Sequence, residues 1–141
     1  MHCVSKTMPD NVQHRPLTIR LRRELLAEVQ GVLADRYSDP DLTLDDVARV
    51  VASSRRQVQR LFEEDADTFR AYLTRLRMER AGELLRTTPM PVREVARRVG
   101  YRQSAQFAKA FRRFGGTSPL EWRAAGRGVV ADDRPALVAA A

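Results

Sequence analysis

The sequence predicts an all-α protein of about seven helices, arranged as two helix-turn-helix units joined by a long linker helix. Three observations favour this class. Apolar residues recur at helical spacing, without the sustained alternation of a strand. Prolines and glycines divide the chain into segments of helical length. Two short helix pairs match each other within 141 residues, a length that suits one domain.

The chain divides into a patterned middle and two terminal segments. Residues 1–17 and 125–141 contain proline and lack a periodic apolar face, so we predict a flexible tail at each end. The predicted domain covers residues 18–124, with a first unit over about 18–66, a linker helix over about 68–87 and a second unit over about 88–124.

The first unit is predicted to contain three helices. A helix from Ile19 to Tyr37 carries one apolar stripe and ends before Pro40. Thr43 and Asp46 are spaced as a capping box for a short second helix, and a third runs over about 54–65. The side chains expected inside are Leu21, Leu25, Leu26, Val29, Val32, Leu33, Leu44, Val47, Ala48, Val51, Val58, Leu61 and Phe62.

Prolines, glycines and capping residues also set the predicted bounds of the linker helix and of the helices in the second unit. The linker ends before the prolines at 89 and 91, and a short helix from Val92 closes at Gly100, a typical residue just past a helix end. A sixth helix over about 104–114 precedes the glycine pair 115–116. The last helix opens with the capping sequence of residues 118–121, and Trp122 is placed to dock it on the core.

The two short helix pairs form an internal repeat. Residues 44–49 align with residues 92–97 at an offset of 48. Beyond the turn the offset is 49, which pairs Val58 with Phe107 and Phe62 with Phe111, so the second turn holds one extra residue. Helix, short turn and helix make a helix-turn-helix unit, whose second helix enters the DNA major groove in DNA-binding proteins.

Positive charge is concentrated in the repeat. Residues 43–123 hold 17 basic and 10 acidic residues, whereas the remainder holds 8 of each, and the chain carries a net charge of +7. Lys6 and Lys109 are the only lysines. Arginine bias can reflect genomic base composition, but this does not explain why the excess lies in one segment. The charge therefore indicates a polyanionic partner, nucleic acid first.

Six motifs follow one another over residues 43–123: Leu44-x-x-Val47-Ala48, Ser54-x-x-x-Val58-x-x-x-Phe62, Tyr72-x-x-x-Leu76-Arg77-x-x-x-Ala81-x-x-Leu84-Leu85, Val92-x-x-Val95-Ala96-x-x-Val99-Gly100-Tyr101, Phe107-x-x-x-Phe111-x-x-x-Gly115 and Ser118-Pro119-x-x-Trp122-Arg123. With these motifs the segment resembles the DNA-binding domain of AraC/XylS-type bacterial transcription regulators. The resemblance implies seven helices and a monomer that inserts two recognition helices into adjacent major grooves of an asymmetric promoter site, without a cofactor. The length is similar to that of short single-domain members of the MarA, SoxS and Rob type. The resemblance also implies activation more often than repression, with RNA polymerase as a candidate partner.

The candidate DNA-reading residues lie on the outward face of the second helix of each unit. Arginine can bond guanine O6 and N7 together, and glutamine can bond adenine N6 and N7. The sixth helix offers only two strong readers, so we expect the first unit to supply most direct specificity. The predicted base-reading residues are Arg56, Gln59, Arg60, Ala105, Gln106, Ala108 and Lys109. The predicted phosphate or positioning contacts are Arg55, Arg102, Gln103, Ser104, Arg112 and Arg113.

Other classes of function fit the sequence less well. An enzyme is not predicted, because the two histidines, His2 and His14, lie in the first tail, and no phosphate loop or metal site can be assembled. A helical adaptor or anti-regulator that kept the fold without binding DNA stays open, since four acids lie near the end of the first recognition helix. No segment resembles a membrane span or secretory signal, so we expect a cytoplasmic protein. The four acids are Glu63, Glu64, Asp65 and Asp67.

Ala52 departs from the family pattern. It stands where the second unit has Gly100 and where the family usually has glycine. If the backbone there needs a positive φ, alanine costs about 1 kcal/mol.

Overall fold

The computed structural model describes the backbone of residues 2–128 and the side chains of residues 18–126. Over residues 2–128 the chain forms seven helices and no strand, which confirms the predicted fold class. None of these helices combines the length and apolar character needed to cross a bilayer. The helices are α1 (His2–Arg36), α2 (Leu44–Val50), α3 (Arg55–Glu64), α4 (Phe69–Thr87), α5 (Val92–Arg98), α6 (Ser104–Gly115) and α7 (Pro119–Gly128).

The first and last helices extend further than predicted. We expected a helix only from Ile19, yet the backbone is helical from His2. Residues 2–17 include Pro9 and Pro16, and proline disfavours a helix interior, so no local pattern of the sequence indicated this extension. Helix α7 runs past residue 124 to Gly128, since Ala124 and Ala125 favour helix. Residues 129–141 of the expected second tail lie outside the described residues, and the flexibility of both tails stays a prediction.

Two apolar cores, one for each unit, hold the fold together. The first is built from α1, α2, α3 and the start of α4, and it includes the buried Phe62. The second is built from the remainder of α4 with α5 and α6, and it includes the buried Phe107. Tyr37 packs against both cores. The predicted burial of Leu21 is wrong: it is 54% exposed, because the part of α1 that packs on the first core starts at Leu25.

The predicted helix caps are present. The hydroxyl of Thr43 accepts a hydrogen bond from the amide of Asp46 at 3.2 Å, and the Asp46 carboxylate accepts one from the amide of Thr43 at 3.0 Å. Ser118 and Glu121 make the same reciprocal pair at the start of α7. The hydrogen bonds from Thr43 hold the pKa of Asp46 below its usual value. Both capping boxes therefore fix helix starts within four residues of sequence.

Helices α2 and α5, which begin the two repeated helix pairs, end in the same way, which confirms the repeat. The amides of Ser53 and Tyr101 each donate to the carbonyl five residues earlier, at 2.9 Å in both cases. These bonds belong to a Schellman turn, which needs a left-handed residue just past the helix end. That residue is Ala52 in the first unit, with φ 54°, and Gly100 in the second, with φ 96°. Ala52 therefore adopts the strained conformation that the sequence comparison with Gly100 suggested.

Replacing Ala52 by glycine is expected to stabilise the protein by about 0.5–1 kcal/mol, because the left-handed strain on Cβ exceeds the added entropy of the unfolded chain. The free energy of unfolding in urea measures the change. Ala71→Gly is the control, because Ala71 is also exposed but lies within α4, where glycine should destabilise. A loss of stability in Ala52→Gly would contradict the expected strain.

Candidate nucleic-acid interface

Helix α3 presents a polar face opposite its buried side. The Ser54 hydroxyl caps its start by accepting from the amide of Gln57 at 3.1 Å. Val58, Leu61 and Phe62 are buried, which fixes the rotation of the helix on the first core. The opposite face is exposed and carries four of the residues predicted to meet DNA together with one acid. These residues line one shallow surface: Arg55, Arg56, Gln59, Arg60 and Glu63.

The donors on this face differ in how they are engaged. Among the described residues, neither Arg56 nor Arg60 makes an ion pair, so both guanidinium groups are available to a ligand. The Nε of Arg55 lies 3.8 Å from the Oδ1 of Asp45, so this arginine has an ion-pair partner. The Gln59 amide donates to the Glu63 carboxylate at 3.2 Å. This bond orients the Gln59 amide and leaves its oxygen and second N–H for a base edge, a role for Glu63 that the sequence did not indicate.

Helix α6 presents the corresponding face of the second unit. Phe107 and Phe111 are buried, and Ala105, Gln106 and Lys109 are exposed as expected. Ala108 is only partly exposed, which limits it to contact with a projecting group such as a thymine methyl. The remaining predicted contacts at the start and end of the helix are all exposed: Gln103, Ser104, Arg112 and Arg113.

Arg102 is already paired within the chain. Its guanidinium donates two hydrogen bonds to the carboxylate of Asp41, at 3.1 and 2.6 Å. Asp41 lies between α1 and α2, so this exposed pair joins the two units. A phosphate contact by Arg102 would have to compete with Asp41.

The acids at the end of α3 and just beyond it are mostly engaged within the protein. Glu64 pairs with Arg22 at 2.9 Å, and Asp67 accepts two hydrogen bonds from Arg75, at 3.3 and 2.6 Å. Together with the Glu63 bond to Gln59, these contacts occupy three of the four acids. Two of the four acids are therefore ion-paired with arginine, whereas the bond from the neutral amide of Gln59 leaves the charge of Glu63 in place. Among the described residues, no group of three or more potential ligands could hold a metal ion.

The two units meet at a polar junction around Arg77 of α4. The Arg77 Nε donates to the carbonyl of Tyr37 at 2.8 Å, and its Nη2 donates to the carbonyl of Asp39 at 2.7 Å. Its Cζ lies 5.7 Å from the ring centre of Tyr101. Burial lowers the pKa of Arg77 and raises that of Tyr101. One feature of the sequence points to this role, because Arg77 falls on the apolar face of α4, four residues from buried Leu73.

Comparison with known proteins identifies this arrangement. A family profile described as a helix-turn-helix domain matches residues 47–125. A solved regulator with an AraC-type DNA-binding domain from Chromobacterium violaceum is 26% identical, with a TM-score of 0.72, over 78% of this chain and 96% of that chain. The chain belongs to the AraC-type family of DNA-binding transcription regulators. Its members are regulators of transcription, a class distinct from enzymes.

Two further relatives bear on DNA binding. The DNA-binding domain of the global transcriptional factor AdpA, solved with a target DNA, is 31% identical, with a TM-score of 0.67, over 78% of this chain and 96% of that chain. The transcriptional activator NphR from Rhodococcus is 38% identical over 102 residues, which are 72% of this chain and 30% of NphR. The chain thus spans about a third of the length of the curated relatives it matches.

Proposed function

We propose that this chain is a sequence-specific regulator of transcription that binds double-stranded DNA. Helices α3 and α6 enter adjacent major grooves of an asymmetric promoter site, about one helical turn apart. The observation that supports this most directly is the exposed face of α3, where Arg56 and Arg60, which make no ion pair within the described part of the chain, flank an oriented glutamine. The solved complex of the related AdpA domain with DNA supports the same partner.

We propose that the two recognition helices contribute unequally to sequence recognition. Arg56, Gln59 and Arg60 read most of the sequence, because they carry the long donors suited to purine edges. The second unit reads with Gln106 and Lys109 and contributes the groove fit of its alanines. The flanking residues, Arg55, Arg102, Gln103, Ser104, Arg112 and Arg113, position the protein on phosphates.

The regulatory role is proposed to be activation, in the cytoplasm, by a monomer on DNA that contacts RNA polymerase. The name of the related NphR, a transcriptional activator, supports this direction of regulation. A reporter placed behind the selected site tests it: expression should rise when the protein is supplied, and a fall would indicate repression.

Selection from a pool of random 30-base-pair duplexes tests DNA binding without knowledge of the operator. We expect one asymmetric motif with two blocks, whose affinity falls steeply as salt rises. Failure to enrich any duplex at low salt, together with specific capture of a protein, would favour an adaptor instead.

Arg60→Ala should cost about 1–3 kcal/mol of binding free energy on the selected site and relax the preference at one base pair. Arg20→Ala removes the same charge from an exposed position on α1 and is the control. We expect it to leave the motif unchanged. Repeating the selection with each variant provides the measurement, and an equal loss on all sequences would reassign Arg60 to a phosphate contact.

A further inference from the structure

We propose that Arg77 is the positioning residue that holds the two helix-turn-helix units at one relative orientation, and so sets the spacing of the DNA blocks that the protein accepts. The inference rests on the proposed binding of DNA through both units. It concerns a residue that is not among the predicted DNA contacts.

Arg77 contacts both units, through hydrogen bonds to the first and through a cation–π contact with the second. Its two hydrogen bonds reach the carbonyls of Tyr37 and Asp39, in the segment between α1 and α2 of the first unit. Its guanidinium lies over the ring of Tyr101, in the turn before α6 of the second unit. Since arginine presents a planar fork of donors, two fixed carbonyls can hold it in only one direction. Arg77 thus ties the loop of one unit to the turn of the other across the linker helix.

The partners of Arg77 are themselves held in place. The amide of Asp41 donates to the side chain of Asp39 at 2.9 Å, and the amide of Asp39 donates to the carbonyl of Arg36 at 3.0 Å. The ring of Tyr37 lies below Arg80, with 5.7 Å between its centre and the guanidinium carbon. The acceptors therefore belong to an ordered loop, and the bonds of Arg77 transmit a defined geometry.

Gly100 shows how closely the second unit approaches this junction. A Cβ on Gly100 would lie 2.7 Å from the carbonyl oxygen of Tyr37 and 2.9 Å from the Nε of Arg77. The equivalent Ala52 is exposed, which explains why only the first unit tolerates alanine at this point of the repeat. The junction is thus packed against the backbone of the second turn, with no room for a side chain there.

Arg77→Lys removes the donor fork and keeps the charge. We expect it to lower affinity for the two-block site at least about tenfold, because the second unit can no longer bind as a correctly placed tethered partner. Affinity for a duplex holding only one block should stay unchanged. Inserting one base pair between the blocks should lower the affinity of the variant less than that of the original protein, because the units of the variant are less firmly oriented.

Arg75→Lys is the matched control, two residues away on the same helix. Arg75 also makes two hydrogen bonds, but to Asp67 of the first unit. This variant should keep the spacing preference. Equal losses of Arg77→Lys on one-block and two-block duplexes, or an unchanged spacing preference, would overturn the proposal.

A second pair of variants covers the case in which Arg77→Lys folds poorly. Gly100→Ala forces a Cβ into the junction, whereas Gly116→Ala imposes a similar left-handed strain, at φ 79°, with no atom within 4 Å. Only Gly100→Ala should alter the spacing preference. If both variants alter it alike, the junction does not set the spacing.

A distance measurement separates this proposal from the proposed function. Two spin labels, attached to the full chain through Arg60→Cys and Gln106→Cys with Cys3→Ser, report the separation of α3 and α6 without DNA. We expect the distance distribution to broaden in Arg77→Lys and to stay narrow in Arg75→Lys. An unchanged distribution would overturn the positioning role even if DNA binds, and broadening would support it even if no duplex is selected.

Discussion

Phe107→Ala is expected to destabilise the second unit by about 3–5 kcal/mol, the usual cost of truncating a fully buried phenylalanine. Phe107 is 0% exposed and lies at the centre of the second core. Its ring centre is 5.7 Å from those of both Tyr101 and Phe111. The cavity would remove ring contacts on two sides, and α6 would lose the residue that fixes which face it turns outward.

The two separate cores make the unfolding of this variant diagnostic. Trp122 is the only tryptophan, and it contacts Phe111 in the second core, with ring centres 5.5 Å apart. Its fluorescence therefore reports the second unit, whereas far-ultraviolet circular dichroism reports all helices. In Phe107→Ala the fluorescence midpoint in urea should fall below the circular dichroism midpoint.

Phe62→Ala is the control for this measurement. Phe62 is 2% exposed and belongs to the first core, far along the chain from Trp122. Its loss should lower the circular dichroism midpoint while leaving the fluorescence midpoint higher. Coincident midpoints in both variants would mean that the units unfold as one cooperative body.

Much of this fold could be predicted because it is encoded over a few residues. The capping boxes at Thr43 and Ser118, and the stop at Gly100, each depend on partners within five positions. The repeat could be recognised because the same local rules appear twice. Burial of one side of α3 then dictates which residues face out, so the candidate reading face follows from periodicity alone.

The junction could not be predicted in this way. Arg77 meets Tyr37 and Asp39 across 40 and 38 positions, and it bonds their backbone carbonyls, which every residue type possesses. The pairing of Arg102 with Asp41 spans 61 positions, so no local sequence pattern indicates it either. The exposure of Leu21 depends on where the partner helices end. Contacts of this kind arise from the packing of the two units, so local patterns do not carry them.

The affinity for DNA should depend steeply on salt, and the slope tests how many of the predicted phosphate contacts form. The four arginines predicted to contact phosphate give a slope of about −3.6 in log affinity against log salt, which is roughly a 150-fold loss between 50 and 200 mM. The arginines are Arg55, Arg102, Arg112 and Arg113. A titration of the selected duplex at several salt concentrations measures the slope.

The slope depends on whether Arg102 contacts a phosphate or stays paired with Asp41. An exposed ion pair contributes about 0–1 kcal/mol, so a phosphate should displace Asp41 from Arg102 when DNA binds. Arg102→Ala should then flatten the slope by about 0.9, since one counterion fewer is released. An unchanged slope would mean that Arg102 stays on Asp41.

Asp41→Asn removes the competitor for Arg102, so it should raise affinity by up to about fivefold, the worth of an exposed pair. Asp65→Asn is the charge-matched control, because Asp65 is exposed and makes no ion pair among the described residues. If both acids give the same gain, the effect is general repulsion from DNA. A larger gain for Asp41→Asn indicates that DNA binding breaks the ion pair between Arg102 and Asp41, because this pair must separate before the guanidinium can reach a phosphate.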